Sequence, residues 1–288
     1  MATSAAGAAV AVPSAQSQST LPTKPVPVEM ELAPLPFVHG VASGDPLPDA
    51  VVIWTRITPD EHAMPGSGGG TNTRVRWRVA RDAQLRNVVA EGETESRVER
   101  DHTIHVDVSG LEPDTVYYYA FTVANGPHEG AASPLGRTKT APAGHVDRQR
   151  WAVASCANWE SGFFTAYKDM ATRAWAGELD LTVFLGDYIY EYAQYEYAGY
   201  GPVRLHQPAH EIVTLADYRT RYGRYRTDPH LRDAHAALPW VVVWDDHEIA
   251  NNNWRDGADN HNADEGDFHT RRDAAMRAYY EWMPVRLT

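Results

Sequence analysis

Through the first half of the chain, apolar and polar side chains alternate with the period of two that marks a half-buried strand. Ala50-Val51-Val52-Ile53-Trp54-Thr55-Arg56-Ile57 predicts one strand, and in Val75-Arg76-Trp77-Arg78-Val79 apolar and basic residues take turns. Thr103-Ile104-His105-Val106-Asp107-Val108 and the run from Tyr117 to Val123 predict two more. Turn signals separate them, among them the flexible GSGGGTN loop, so residues 36–142 are expected to form an all-β sandwich domain. Residues 126–149 are rich in Gly, Pro and Ala and read as a linker, while the prolines of residues 19–35 predict an extended lead-in.

Beyond the linker the rhythm changes. Arg150 to Ser155, Leu179 to Leu185 and Pro239 to Trp244 read as strands; Gly162 to Ala174, Leu215 to Tyr225 and Phe268 to Tyr280 read as helices. Strands alternating with helices predict an α/β domain with a largely parallel sheet over residues 143–288. Its most apolar stretch, Val241-Val242-Val243-Trp244, reads as a short buried strand. In the first domain, GLEPDTVYYYAFTV (residues 110–123) resembles the tyrosine corner of fibronectin type III-like domains, where a tyrosine hydroxyl bonds back to the backbone beside the turn.

Composition narrows the function. A formal net charge of −12 disfavours nucleic acid as a dedicated partner, and leaves room for carboxylates gathered around cations. The lone cysteine, Cys156, excludes a disulfide within the chain and is either a small buried apolar residue or a chemical group. Residues 1–35 begin with an uncharged Ala-, Ser- and Val-rich stretch like the apolar and cleavage regions of a secretory signal. Its basic front is absent, where a twin-arginine pair would fit, and export to the periplasm or the exterior is expected. No later apolar run is long enough to insert stably in a membrane.

The three strands of the second domain each run into reactive groups: Ser155-Cys156-Ala157-Asn158, Gly186-Asp187-Tyr188-Ile189-Tyr190-Glu191, and Asp245-Asp246-His247-Glu248. In open α/β sheets ligands gather beyond the carboxyl ends of the strands. Parallel neighbours would bring Cys156, Asp187 and Asp246 to one rim, and carboxylates crowded there need cations. Asp187 could bridge two ions, a thiolate and a phenolate from Cys156 and Tyr190 favour a trivalent or soft metal, and hard oxygens suit calcium, magnesium or manganese. Paired ions are the usual clamp for phosphate ester hydrolysis. Asn158 and Asn251 to Asn253 lie where amides could touch phosphate, although a cap and turn explains at least two of the last three. Arg255 is a further candidate for phosphate, whereas Arg271 reads as part of a solvated helix face. His206, His210, His230 and His235 fall in loop-like sequence and are not read as ligands.

Taken together, FVHGVASGDPLPDAVVIWTR, ASCANWESGFFTAYKDMA, FLGDYIYEY and VVVWDDHEIANNNW resemble the N-terminal half of PhoD-type alkaline phosphatases, over about residues 37–288. The resemblance implies a fibronectin III/Ig-like sandwich followed by a metallophosphatase α/β domain. It implies an exported monomeric enzyme that uses iron (Fe3+) and calcium to hydrolyse phosphate mono- and diesters by attack of a metal-bound hydroxide. By the match Cys156, Asp187, Tyr190 and Asp246 bind metal and His247 is catalytic and contacts phosphate; Asn158 and Asn252, from their placement, are expected to bind substrate. Asp187-x-x-Tyr190 is similar to the GDxxY of purple acid phosphatases, where the tyrosinate binds iron. Family members are longer, with further ligands beyond the point reached by Thr288, so a truncated N-terminal portion is expected. A phospholipase D-like phosphodiesterase, or an inactive fragment serving as a binding module, are the alternative expectations.

Overall fold

The computed structural model of the protein describes residues 25–287; the signal-like residues 1–24 lie outside it. Among the described residues, ten strands and four α-helices are formed. The strands are β1 (Val41–Gly44), β2 (Ala50–Arg56), β3 (Thr73–Ala80), β4 (Val88–Ser96), β5 (Thr103–Ser109), β6 (Val116–Val123), β7 (Gly136–Lys139), β8 (Trp151–Ala154), β9 (Leu181–Leu185) and β10 (Pro239–Val243). The helices are α1 (Thr165–Trp175), α2 (Leu215–Tyr225), α3 (Pro229–Ala237) and α4 (Phe268–Trp282).

One sheet runs β4-β3-β6-β7 and is antiparallel; the other, six-stranded, runs β5-β2-β1-β10-β9-β8. The second sheet is antiparallel through β5, β2 and β1 and parallel from β1 to β8. Strands from both predicted domains therefore share it, and the seam is the β1–β10 pair, where Ser43 faces Pro239 and Gly44 faces Trp240. A Cβ at Gly44 would run into the Pro284 carbonyl and lie 2.8 Å from that of Trp240, so only glycine fits at the seam.

The antiparallel part behaves as its alternation predicts. Val51, Ile53, Ile104 and Val108 from one sheet meet Val75, Val79, Tyr119, Phe121 and Val123 from the other in a common core. The Tyr117 hydroxyl accepts the Glu112 N–H at 2.9 Å, which is the tyrosine-corner contact. Helix α4 ties β2 to α2 on the outer face. The Glu281 carbonyl accepts the Trp54 indole N–H at 2.9 Å, and the Glu281 carboxylate takes both Nε and Nη2 of Arg219, each at 2.7 Å.

Four features depart from the sequence reading. The segment read as a linker contains β7, which pairs with β6 from Val116↔Lys139 to Tyr119↔Gly136. His230 and His235 lie on a helix, not a loop: Asp228 caps α3 by accepting the N–H groups of His230 and Leu231, and Pro229 opens it. Arg271, read as a solvated position, is buried at 1% exposure in a ring of acceptors. Lastly, β10 is buried on one face only. Trp151 (55%), Val153 (63%), Leu185 (51%), Val241 (40%) and Val243 (49%) form a continuous exposed apolar surface across β8, β9 and β10.

Candidate metal centre

Because β8, β9 and β10 are parallel neighbours, their carboxyl ends open onto one rim. The first two leave the sheet through residues with left-handed backbone, Cys156 and Asp187, each at φ 57°. That conformation costs of order 1–3 kcal/mol per non-glycine residue and is kept where surrounding bonds dictate it. Here the loops dictate it mutually: Cys156 N–H donates to Gly186 O at 3.1 Å, and Ala157 N–H to Asp187 O at 2.8 Å. Gly186, at φ 94°, lets the β9 end pass close to β10, since a Cβ there would collide with Asp245.

A buried carboxylate ties the β9 and β10 ends together. Glu248, 0% exposed, accepts the backbone N–H groups of Asp187 (3.1 Å), Tyr188 and Asp245 (2.8 Å). Burial pushes its pKa up to about 7 in spite of those donors, so the three hydrogen bonds must offset a large desolvation cost. This accounts for three of the four titratable residues at the tip of β10. Asp246 and His247 face the rim chemistry, while Glu248 turns inward and fixes the backbone.

On the rim, ligand atoms of Asp187, Asp246 and His247 lie within 4.8 Å of one another. Asp187 Oδ2 accepts from the Cys156 thiol at 3.4 Å and from the Tyr190 hydroxyl at 3.2 Å, while its buried Oδ1 has no partner among the described residues. Burial raises the pKa of Asp187, and the nearby Asp246 charge adds to it. Burial likewise holds Tyr190 protonated, reinforced by Asp187 and Cys156. An orphaned carboxylate oxygen beside a thiol, a phenol and a second carboxylate is a donor set that fits a cation. Asp246 is itself wrapped by the following turn: Oδ2 accepts Asn252 N–H at 2.6 Å, and its carbonyl accepts Asn253 Nδ2 at 3.1 Å.

His247 is buried and packs its ring 4.3 Å from that of Tyr190. Its Nδ1 lies 2.8 Å from Glu191 Oε2. Burial alone would lower its pKa, but the hydrogen bond to Glu191 and the charges of Glu191, Asp246 and Asp187 raise it overall.

The two predicted substrate ligands are engaged elsewhere. Asn158 accepts Glu160 N–H and Ser161 N–H and donates to Tyr197 O, so it shapes the tyrosine-rich loop of residues 190–200. Asn252 spends its amide on Asp259 and offers its backbone N–H to Asp246. Arg255 is exposed and paired with Asp256. His235 is a core histidine stacked 3.8 Å from Trp240. Sequence reasoning missed Glu191, Glu248 and Asn260 as supports, although two of them stand inside the motifs that drew attention to the rim.

Acids and an oriented histidine at the carboxyl rim of a parallel sheet mark the class of α/β proteins that bind ligands at that rim. The chain belongs to the PhoD-like phosphatase family: the PhoD-like phosphatase model matches residues 151–288, and that of the family's N-terminal domain matches residues 22–142. Alkaline phosphatase D of Bacillus subtilis (strain 168) is 48% identical over 259 residues, which are 88% of this chain and 42% of that protein. The solved structure of PhoD is 46% identical with a TM-score of 0.78, over 89% of this chain and 48% of that one. The chain thus spans less than half the length of these relatives.

Proposed function

We propose that this chain carries the rim of a secreted, metal-dependent alkaline phosphatase acting on phosphate mono- and diesters, built on a fibronectin III/Ig-like sandwich and a metallophosphatase α/β layer. The observation that carries the reading is the convergence of Asp187, Asp246 and His247 within 4.8 Å, with Cys156 and Tyr190 on one oxygen of Asp187. Cys156, Asp187 and Tyr190 would hold iron, and Asp187 and Asp246 the calcium. When bound, such ions supply Lewis acidity to the phosphoryl group and to the attacking water. The protein's own part is to keep the donors crowded, to exclude water behind Tyr190, and to present His247 to a phosphoryl or leaving oxygen. An imidazole there can stabilise developing charge or pass a proton to the leaving alkoxide.

No helix among the described residues is long and apolar enough to cross a bilayer. Metal content and the visible spectrum of the purified chain, beside its Tyr190→Phe variant, test the reading. A phenolate-to-iron charge-transfer band that vanishes in the variant supports it, and a chain that takes up no metal from an iron and calcium mixture sinks it. Hydrolysis of p-nitrophenyl phosphate against bis(p-nitrophenyl) phosphate then ranks monoester against diester.

A further inference from the structure

Glu191 closes the GDYIYE segment, is 0% exposed, and spends its hydrogen bonds on the polypeptide that follows β10. Oε2 accepts from His247 Nδ1 at 2.8 Å; Oε1 accepts the Asn251 backbone N–H at 2.7 Å and Asn260 Nδ2 at 2.9 Å. Asn260 is held in turn, because its carbonyl accepts Arg271 Nη1 at 2.8 Å. Arg271 is anchored by Tyr218, Glu211 and Glu265 at 2.8–3.0 Å. A chain of bonds therefore runs from helix α4 through Arg271, Asn260 and Glu191 to one ring nitrogen.

An ionised carboxylate can only accept, so the nitrogen facing it must carry the proton. We propose that Glu191 is the positioning residue of the site: it fixes His247 as the Nδ1–H tautomer and so presents Nε2 to the phosphoryl or leaving oxygen of an ester bound beside Asp187 and Asp246. The assignment of what Nε2 meets rests on the phosphatase reading; the tautomer does not. Geometry also dictates what the isosteric amide of Glu191→Gln would do. The Asn251 N–H belongs to the backbone and cannot turn round, so the new amide must aim its oxygen there and its NH2 at the imidazole. Nδ1 then has to accept, and the proton moves to Nε2.

The experiment is a long-range 1H–15N correlation of the imidazoles in the metal-free chain at alkaline pH, with His247→Gln to assign the signal. Nδ1–H in the parent and Nε2–H in Glu191→Gln is the expected result. An Nε2–H parent, or one tautomer in both proteins, overturns the proposal. Should Glu191→Gln not fold, the parent spectrum alone still decides. In p-nitrophenyl phosphate hydrolysis, with rates normalised to folded protein, the same variant lowers kcat roughly 10²–10⁴-fold with KM changed far less; a fall in kcat no larger than the lost folded fraction speaks for a merely structural role and against the proposal. A chain that shows the tautomer switch yet neither binds metal nor cleaves ester upholds the positioning and removes the phosphatase reading instead.

Discussion

The two halves of the six-stranded sheet solve the same problem differently. In the antiparallel half every residue of β2 is buried, because β3 and β6 cover one face and the α2–α4 pair closes over the other. In the parallel half, β8 and β10 alternate exposed and covered positions although both faces are apolar. Parallel strands usually read as continuous apolar runs because both faces are covered. The first half is stabilised by packing. The second is packed on one face only, through Phe184 and Trp240, and is also pinned at its rim, where Glu248 gathers three backbone donors. Packing tolerates no hole, while a polar latch tolerates change everywhere except at the latch.

The largest test of this contrast compares two large-to-small changes. Trp54, 0% exposed and bonded to the Glu281 carbonyl, should cost about 3–5 kcal/mol when changed to Ala. Val153→Ala on the open face should cost within about 0.5 kcal/mol. Urea denaturation of both measures it, and similar losses would mean that the β8–β10 face is covered in solution.

The same contrast explains what was legible in the sequence. Alternation is a local signal, and β3, β5 and β6 were found within about two residues because their two faces differ in polarity, while β2 was found as an apolar run. Helix α2 was read at its full length, and in the structure Thr214 and Asp217 form a capping box at its start. The rim was legible because each strand ended in chemistry. Its supports were not: whether Glu191 and Glu248 turn inward or outward depends on loops at φ 57°, which no periodicity reports. Arg271 was misjudged for the same reason, as two of its acceptors, Tyr218 and Glu211, are remote in sequence. The seam between β1 and β10 joins residues about two hundred apart, and only the tight glycine at position 44 hints at it.

Packing over the sheet also desolvates the histidines beside it, which makes the antiparallel half acid-sensitive. Burial drives His105 from 6.5 down to about 4, although its Nε2 bonds to the Met283 carbonyl. Burial likewise keeps His39 well below its ordinary value, with the charge of Arg56 adding to it. A histidine depressed in the folded state binds its proton mainly after unfolding. Its contribution is therefore present above pH 6.5 and lost as pH falls towards 4, up to about 3 kcal/mol for His105 at ~1.4 kcal/mol per pH unit. Stability measured from pH 8 to 4 should fall along that limb, and His105→Gln should flatten it. A His105→Gln curve parallel to the parent would refute the assignment.

Removing the latch should cost less overall but localise sharply. Glu248→Ala leaves the N–H groups of Asp187, Tyr188 and Asp245 without their acceptor while relieving a buried carboxyl, for a net loss of about 2 kcal/mol. Hydrogen exchange should quicken at those three amides and stay unchanged in β2 and β5. Uniform quickening would show that the rim is part of the common core and not a separate fastening.

The smallest effect on stability carries the sharpest reading of the open face. Val153 lies level with Val183 and Val241, and Leu185 with Val243, so these side chains stand in adjacent rows on one surface. Apolar patches of this kind drive association more than they stabilise the fold that bears them. Val153→Lys combined with Val243→Lys should shift unfolding by no more than about 1 kcal/mol, because neither side chain loses a buried environment. Light scattering of the parent should rise with concentration, and the double variant should abolish that rise. A parent that scatters as a monomer at every concentration would show the patch inert. A double variant that unfolds would show the rows packed against something that the antiparallel half supplies, and the contrast between the two halves would disappear.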